Sequence, residues 1–167
     1  MCEAPRLQSF APIVDSAARV LILGTMPGKV SLEKSEYYGH PQNSFWRIIF
    51  RLCGTDFSDD YKTRKRLLGE HRIALWDVLQ YCNREGSMDA DIEAEHPNDF
   101  TAFFKNYPDI RTVCFNGNNA QHFFKKHVGF RTGFHYCRLP STSPAYARLS
   151  FEGKYEKWKI IQSLIGE

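Results

Sequence analysis

Four short apolar runs rich in β-branched and aromatic residues, separated by stretches with helical spacing, constrain this chain more than any other feature. The clearest is Arg19-Val20-Leu21-Ile22-Leu23-Gly24, and the pattern predicts strands over residues 19–24, 73–79, 110–116 and 134–139. Apolar positions three and four apart predict helices over residues 43–53, 59–68, 99–105, 120–126 and 155–165. Strands that alternate with helices are joined by right-handed crossovers. The expected fold is therefore α/β, a three-layer α/β/α arrangement around a central, mainly parallel four-stranded sheet. A length of 167 residues suits one core, so residues 1–167 are read as a single domain. Ligands of such sheets bind at the carboxyl ends of the strands, which directs attention to the loops after Leu23, Trp76, Phe115 and Leu139.

Composition narrows the function classes. No apolar run approaches the ~20 residues that span a bilayer, and Met1-Cys2-Glu3-Ala4-Pro5-Arg6 has neither the basic start nor the apolar block of a signal peptide. A cytoplasmic protein without membrane contact is expected, a monomer by default. The cysteines Cys2, Cys53, Cys82, Cys114 and Cys137 are odd in number and form no CxxC hook, so they read as reduced, partly buried thiols. His122 and His127 stand five apart, off the spacing of a helical metal pair. No metal and no cofactor are expected. A net charge of +3 permits nucleic acid as a partner without demanding it. The 13 Phe, 8 Tyr and 3 Trp exceed what a core of this size needs, which leaves aromatics free to stack.

The first loop, Gly24-Thr25-Met26-Pro27-Gly28, lets backbone approach a ligand closely and offers free N–H groups, although Pro27-Gly28 also reads as a plain turn. It is not a nucleotide P-loop: three residues separate the glycines, and Val30 stands where Ser or Thr would hold magnesium. Next, Tyr37-Tyr38-Gly39-His40-Pro41-Gln42-Asn43-Ser44-Phe45-Trp46 runs into a helix. Asn43 reads either as its N-cap or as a group that orients a water, and Tyr38 as a face for a base. Asp77 closes the second strand, where a buried carboxylate serves a site or caps a loop. The acidic residues Glu85, Asp89, Asp91, Glu93 and Glu95 of the following stretch read as a solvated face, away from DNA. Asn116 ends the third strand and has an amide to offer a base edge, with Asn118 or Asn119 as helix cap. In Leu139-Pro140-Ser141-Thr142-Ser143-Pro144-Ala145-Tyr146-Ala147-Arg148, three hydroxyls between prolines suit phosphate oxygens, or are ordinary loop filler. The basic cluster Lys62, Arg64, Lys65 and Arg66 reads as a solvated helix face.

Together these loops resemble the uracil-DNA glycosylase superfamily. Gly24-Thr25-Met26-Pro27-Gly28 corresponds to its Gly-x-Asn-Pro-Gly motif, and Ser141-Thr142-Ser143-Pro144 to its C-terminal DNA-binding motif. Tyr38-Gly39-His40-Pro41-Gln42-Asn43-Ser44-Phe45-Trp46 is similar to the aromatic-x-His-Pro-x-Asn-x-Phe-Trp segment of the mismatch-specific members. Met26 replaces the usual water-orienting Asn. The hypoxanthine-DNA glycosylase branch shares that loss, and Tyr37-Tyr38 and Asn83-Arg84-Glu85-Gly86-Ser87-Met88-Asp89 resemble it too.

The resemblance implies a monofunctional glycosylase that acts on DNA containing deaminated bases, hypoxanthine first, with uracil and xanthine as further substrates. It implies Asn43 as the catalytic residue that positions the water. Gly24, Thr25, Met26, Pro27, Gly28, Tyr38, Asp77 and Asn116 would line the base site. Ser141, Thr142, Ser143, Pro144, Ala145, Tyr146 and Arg148 would contact DNA, with Tyr146 as the wedge. The competing readings are a catalytically silent lesion-binding module that kept the fold, for which Met26 speaks, and a hydrolase of free nucleosides.

Overall fold

The structure, a computed structural model, describes residues 6–166. Its centre is a sheet of four parallel strands: β2 (Val20–Gly24), β3 (Ile73–Asp77), β6 (Thr112–Asn116) and β7 (His135–Leu139), in the order β3-β2-β6-β7. Side chains alternate across a strand, and β2 shows the consequence. Val20 and Ile22 join one apolar cluster, and Leu21 and Leu23 join another on the opposite face. The first cluster is closed by α2 (Phe45–Leu52), α3 (Tyr61–Glu70), α6 (Phe151–Trp158) and α7 (Ile160–Ile165). The second is closed by α4 (Phe100–Asn106) and α5 (Asn118–His127). Two helical layers sandwich the sheet, so the α/β expectation holds.

The helices form where burial and caps agree. In α2 the buried residues Phe45, Trp46, Ile48, Ile49, Phe50 and Leu52 leave Arg47 and Arg51 outside. Asp99 accepts from the Ala102 N–H and starts α4, whose Phe100, Phe103 and Phe104 face the core. Asp60 and Ser150 do the same for α3 and α6.

Several boundaries differ from the sequence reading. Residues 73–79 are not one strand: the Val78 N–H turns to the Gly24 carbonyl at 2.8 Å, and the chain leaves the parallel sheet there. It continues as β4 (Leu79–Asn83) in a second, antiparallel sheet of order β1-β4-β5, with β1 (Arg6–Gln8) and β5 (Glu93–Pro97). The acidic stretch therefore contains β5 and a single 3₁₀ turn, Asp89–Asp91, rather than only a solvated run. The expected C-terminal helix divides at Lys159, and the short helix α1 (Lys29–Lys34) was not foreseen. Cys53, Cys82, Cys114 and Cys137 are free thiols, while Cys2 lies outside the described residues. Among the described residues no helix is long and apolar enough to cross a membrane.

Candidate active site

The carboxyl ends of β3, β2 and β6 put Asp77, Gly24 and Asn116 side by side. Gly24 is required there. A Cβ on it would stand 2.6 Å from Asp77 Oδ1 and 2.8 Å from Tyr38 Oη, so the two polar groups crowd the space that a side chain would fill. Asp77 Oδ2 is buried without a hydrogen bond among the described residues, and Tyr38 Oη, without one of full geometry, has the Asn116 side chain beside it, which opposes the rise in its pKa. Burial, with Asp89 nearby, pushes the Asp77 carboxyl up to about 8, against a smaller opposing pull from Arg84. Burial likewise raises the Tyr38 phenol, and Asp77 adds to the rise.

Tyr38 is held in place from both sides. Its φ of 53° is left-handed, an uncommon conformation for a bulky residue. The neighbouring backbone enforces it. Trp46 Nε1 donates to the Tyr37 carbonyl at 2.7 Å, and Tyr61 Oη accepts from the Tyr37 N–H. Ser31 Oγ accepts from the Gly39 N–H at 3.0 Å, and Lys34 Nζ donates to the Gly39 carbonyl at 2.9 Å. The ring is stacked on Phe45 at 4.1 Å, which ties it to the first turn of α2.

Asn43 lies two residues before α2, half-buried, and its Oδ1 accepts from the Phe45 N–H at 2.9 Å. It thus closes the turn into the helix, while Ser44 occupies the N-cap position without a side-chain bond. One oxygen lone pair and the amide group remain beyond that bond.

The Met26 side chain turns away from the loop's open side. It is buried and belongs to the apolar cluster under α4 and α5. A thioether prefers that environment to a polar crevice. Asn116 and Thr142 bond to each other. Asn116 Nδ2 donates to Thr142 Oγ1 and its Oδ1 accepts from the Thr142 N–H, each at 2.9 Å. Thr142 is wholly buried, and its carbonyl accepts from the Ser44 N–H at 3.0 Å. The pair locks the end of β6, the fourth loop and the start of α2 together, so Thr142 is not placed to meet a phosphate and one edge of the Asn116 amide is committed to protein. Asn118 and Asn119 do not cap α5 either. Gly117 holds the cap position at φ 96°, and Asn119 donates to Asp89.

The rest of the fourth loop is arranged by its own hydroxyls. Ser141 Oγ accepts from the Ser143 N–H and Ser143 Oγ from the Ala145 N–H, both at 3.2 Å. Pro144, Ala145 and Arg148 are exposed, and Tyr146 is half-buried.

Three residues join the site that the sequence reading did not assign to it, although Arg84 and Asp89 lie in the segment that resembles the hypoxanthine-DNA glycosylase branch. Lys154 of α6 is only 4% exposed, yet it donates to the Ser143 carbonyl at 3.0 Å and stands 5.5 Å from the centre of the Tyr146 ring. Burial lowers its pKa. Arg84, also 4% exposed, donates from Nη2 to the Pro27 carbonyl at 2.7 Å and from Nε to the Gly86 carbonyl at 2.9 Å. Asp89 accepts from Asn119 at 3.2 Å, and the Thr25 hydroxyl beside it opposes the rise that burial gives its carboxyl. A charged residue inside an otherwise ordinary run gives no local sign of such burial.

The profile of the Uracil DNA glycosylase superfamily matches residues 11–165. A hypoxanthine DNA glycosylase of Methanosarcina acetivorans is 34% identical over 157 residues, which cover 92% of this chain and 96% of that protein. One from Methanosarcina barkeri is 40% identical over 114 residues, 68% of this chain and 72% of its own. The solution NMR structure of a Methanosarcina acetivorans protein described as a candidate uracil DNA glycosylase superposes with a TM-score of 0.82 at 34% identity, over 96% of this chain and 99% of the other. With the motif-bearing loops gathered at one end of the parallel sheet, the chain belongs to the uracil DNA glycosylase superfamily.

Proposed function

We propose that this chain is a monofunctional DNA glycosylase of base-excision repair that removes flipped deaminated bases, hypoxanthine first, then uracil and xanthine. The observation that carries the reading is the meeting of Asp77, Tyr38 and Gly24 at the strand ends, where Asp77 Oδ2 is buried without a hydrogen bond among the described residues. The relatives named hypoxanthine DNA glycosylase support the choice of base.

A glycosidic bond inside a base stack is out of reach, so the nucleotide is extruded, most cheaply when its base is mismatched. Water oxygen then bonds to the sugar C1′ while the C1′–N bond breaks. The bond's electron pair leaves with the base, which takes up a proton, and the water gives up one, leaving free base and an abasic site. Positioning and charge stabilisation dominate such a step. Asn43, fixed by its bond to the Phe45 N–H, holds the water with its remaining lone pair and amide. The Tyr38 ring, backed by Phe45, stacks on the base. Asp77 offers Oδ2 to the base edge, and the backbone N–H groups of Thr25, Met26 and Gly28 receive the departing charge. Ser141, Ser143, Pro144, Ala145 and Arg148 face DNA containing the deaminated base, with Tyr146 as wedge. The enzyme works as a cytoplasmic monomer.

Asn43→Ala tests this: single-turnover base release should fall about 10²-fold with DNA binding kept, the scale of losing one positioned group. An unchanged rate refutes the role of Asn43. The core placement of Met26 favours one alternative, a silent lesion-binding module. Wild-type protein that binds lesion duplexes tightly and releases no base would establish it.

A further inference from the structure

The loop of residues 24–28 is strapped from behind by residues 84–89. Arg84 grips the Pro27 carbonyl, Ser87 Oγ accepts from the Lys29 N–H at 2.9 Å, and Asp89 lies beside the Thr25 hydroxyl. Arg84 is the unusual member. Its guanidinium is buried, has no ion-pair partner among the described residues, and keeps Nη1 without a hydrogen bond. A buried, incompletely satisfied cation is a poor stabilising device, since an apolar side chain of like volume often serves as well or better. Such a group is suited to negative charge that arises during turnover. In a glycosylase that charge arises on the departing base.

The backbone provides the route. The described residues contain no cis peptide, and in a trans peptide the C=O and N–H point in opposite directions. Anchoring the Pro27 carbonyl to Arg84 therefore turns the N–H of the same peptide, that of Gly28, to the other side of the loop. That N–H has no hydrogen-bond partner among the described residues. A hydrogen bond to a charged donor is roughly twice as strong as a neutral one, and it polarises the peptide it holds.

We propose that Arg84 is a positioning residue for glycosidic bond cleavage: it orients and polarises the Pro27–Gly28 peptide so that the Gly28 N–H, backed by a buried positive charge, stabilises the base as it departs with the electron pair of the C1′–N bond. This rests on the glycosylase reading above and adds a residue to it. Asp77 does not cancel the field at neutral pH, because burial holds its carboxyl up to about 8 and thus uncharged. Asp89 is the remaining nearby carboxyl; burial raises it, while Asn119, Thr25 and Arg84 pull the other way.

The experiment compares single-turnover release of hypoxanthine and of xanthine, whose second carbonyl makes it the better leaving anion, by wild type, Arg84→Met, Arg84→Lys and Ser87→Ala at saturating duplex. Arg84→Met should slow hypoxanthine release about 10²-fold, on the scale of an electrostatic stabiliser, and xanthine release several-fold less. Affinity for the lesion duplex should stay within about threefold of wild type, a small change in binding free energy. Arg84→Lys should fall between, and it carries the same comparison if Arg84→Met does not fold. Ser87→Ala, which loosens the strap without removing charge, should slow both bases equally. Equal slowing of both bases by the Arg84 variants, or none, overturns the proposal while the glycosylase reading stands. Wild type that releases neither base overturns that reading, and this proposal with it.

Discussion

Replacing Asp77 with Asn should make the protein more stable, and increasingly so as pH rises from 4 to 8. The carboxyl is 3% exposed, its Oδ2 is unpartnered, and its pKa is pushed up to about 8 by burial first and Asp89 second. In the unfolded chain an Asp titrates near 3.9. Between those values the unfolded state has released a proton that the folded state still binds, so stability is full below about pH 4 and is lost as pH rises, by up to about 1.4 kcal/mol per unit. By pH 7 the accumulated loss is about 4 kcal/mol. Asn is a neutral isostere of the protonated acid and removes this loss without changing volume. Urea unfolding of both proteins, followed by tryptophan fluorescence from pH 4 to 8, isolates the effect, since groups common to both cancel in the difference. Asp77→Asn should gain about 4 kcal/mol over wild type between pH 4 and 7. Parallel stability curves would refute the reasoning, because they would mean that Asp77 is already ionised in the fold at neutral pH.

Met26→Asn, which restores the superfamily's usual residue, should not raise the glycosylase rate. It places an amide in the apolar cluster under α4 and α5 and should cost about 1–3 kcal/mol in thermal or urea unfolding. Lys154→Met should weaken binding to any duplex and reduce the dependence of log K on log salt by up to about one counterion, because the ammonium under Ser143 and Tyr146 would be gone. A salt titration of DNA affinity that is unchanged in slope would remove Lys154 from the DNA-facing charge.

The sheet was legible because β2, β3 and β6 are largely apolar runs, and the strand-end rule then located Gly24, Asp77 and Asn116 without coordinates. The antiparallel sheet was not. β5 is mostly exposed, so Glu93, Ala94 and Glu95 carry no apolar alternation, and β1 is only three residues long. The site shows the same division. Gly24 and Tyr38 are conspicuous in sequence, whereas the roles of Met26, Asn116 and Thr142 depend on which way a side chain turns at the end of a strand. Asn116 faces Thr142 across 26 positions of chain, and only the fourth loop folding back on α2 makes that pair. The acidic residues Glu85 and Asp89 read as part of a solvated face, and nothing local marks Arg84 as buried, because its burial is created by the loop it grips.

Under the proposed function, that contact also explains how the site does without a water-orienting Asn in its first loop. Once Met26 turns into the core, the loop contributes chiefly backbone, and its backbone is useful only if held still. Rigid support from Arg84, Ser87 and Asp89 supplies this. Water positioning then has to come from another rigid element, and Asn43 is fixed to the first turn of α2 by its bond to Phe45, the residue that also backs the Tyr38 ring. The proposed base platform and the proposed water-holding group therefore share one anchor. A change that shifts α2 should move both together and lower base release more than it lowers binding.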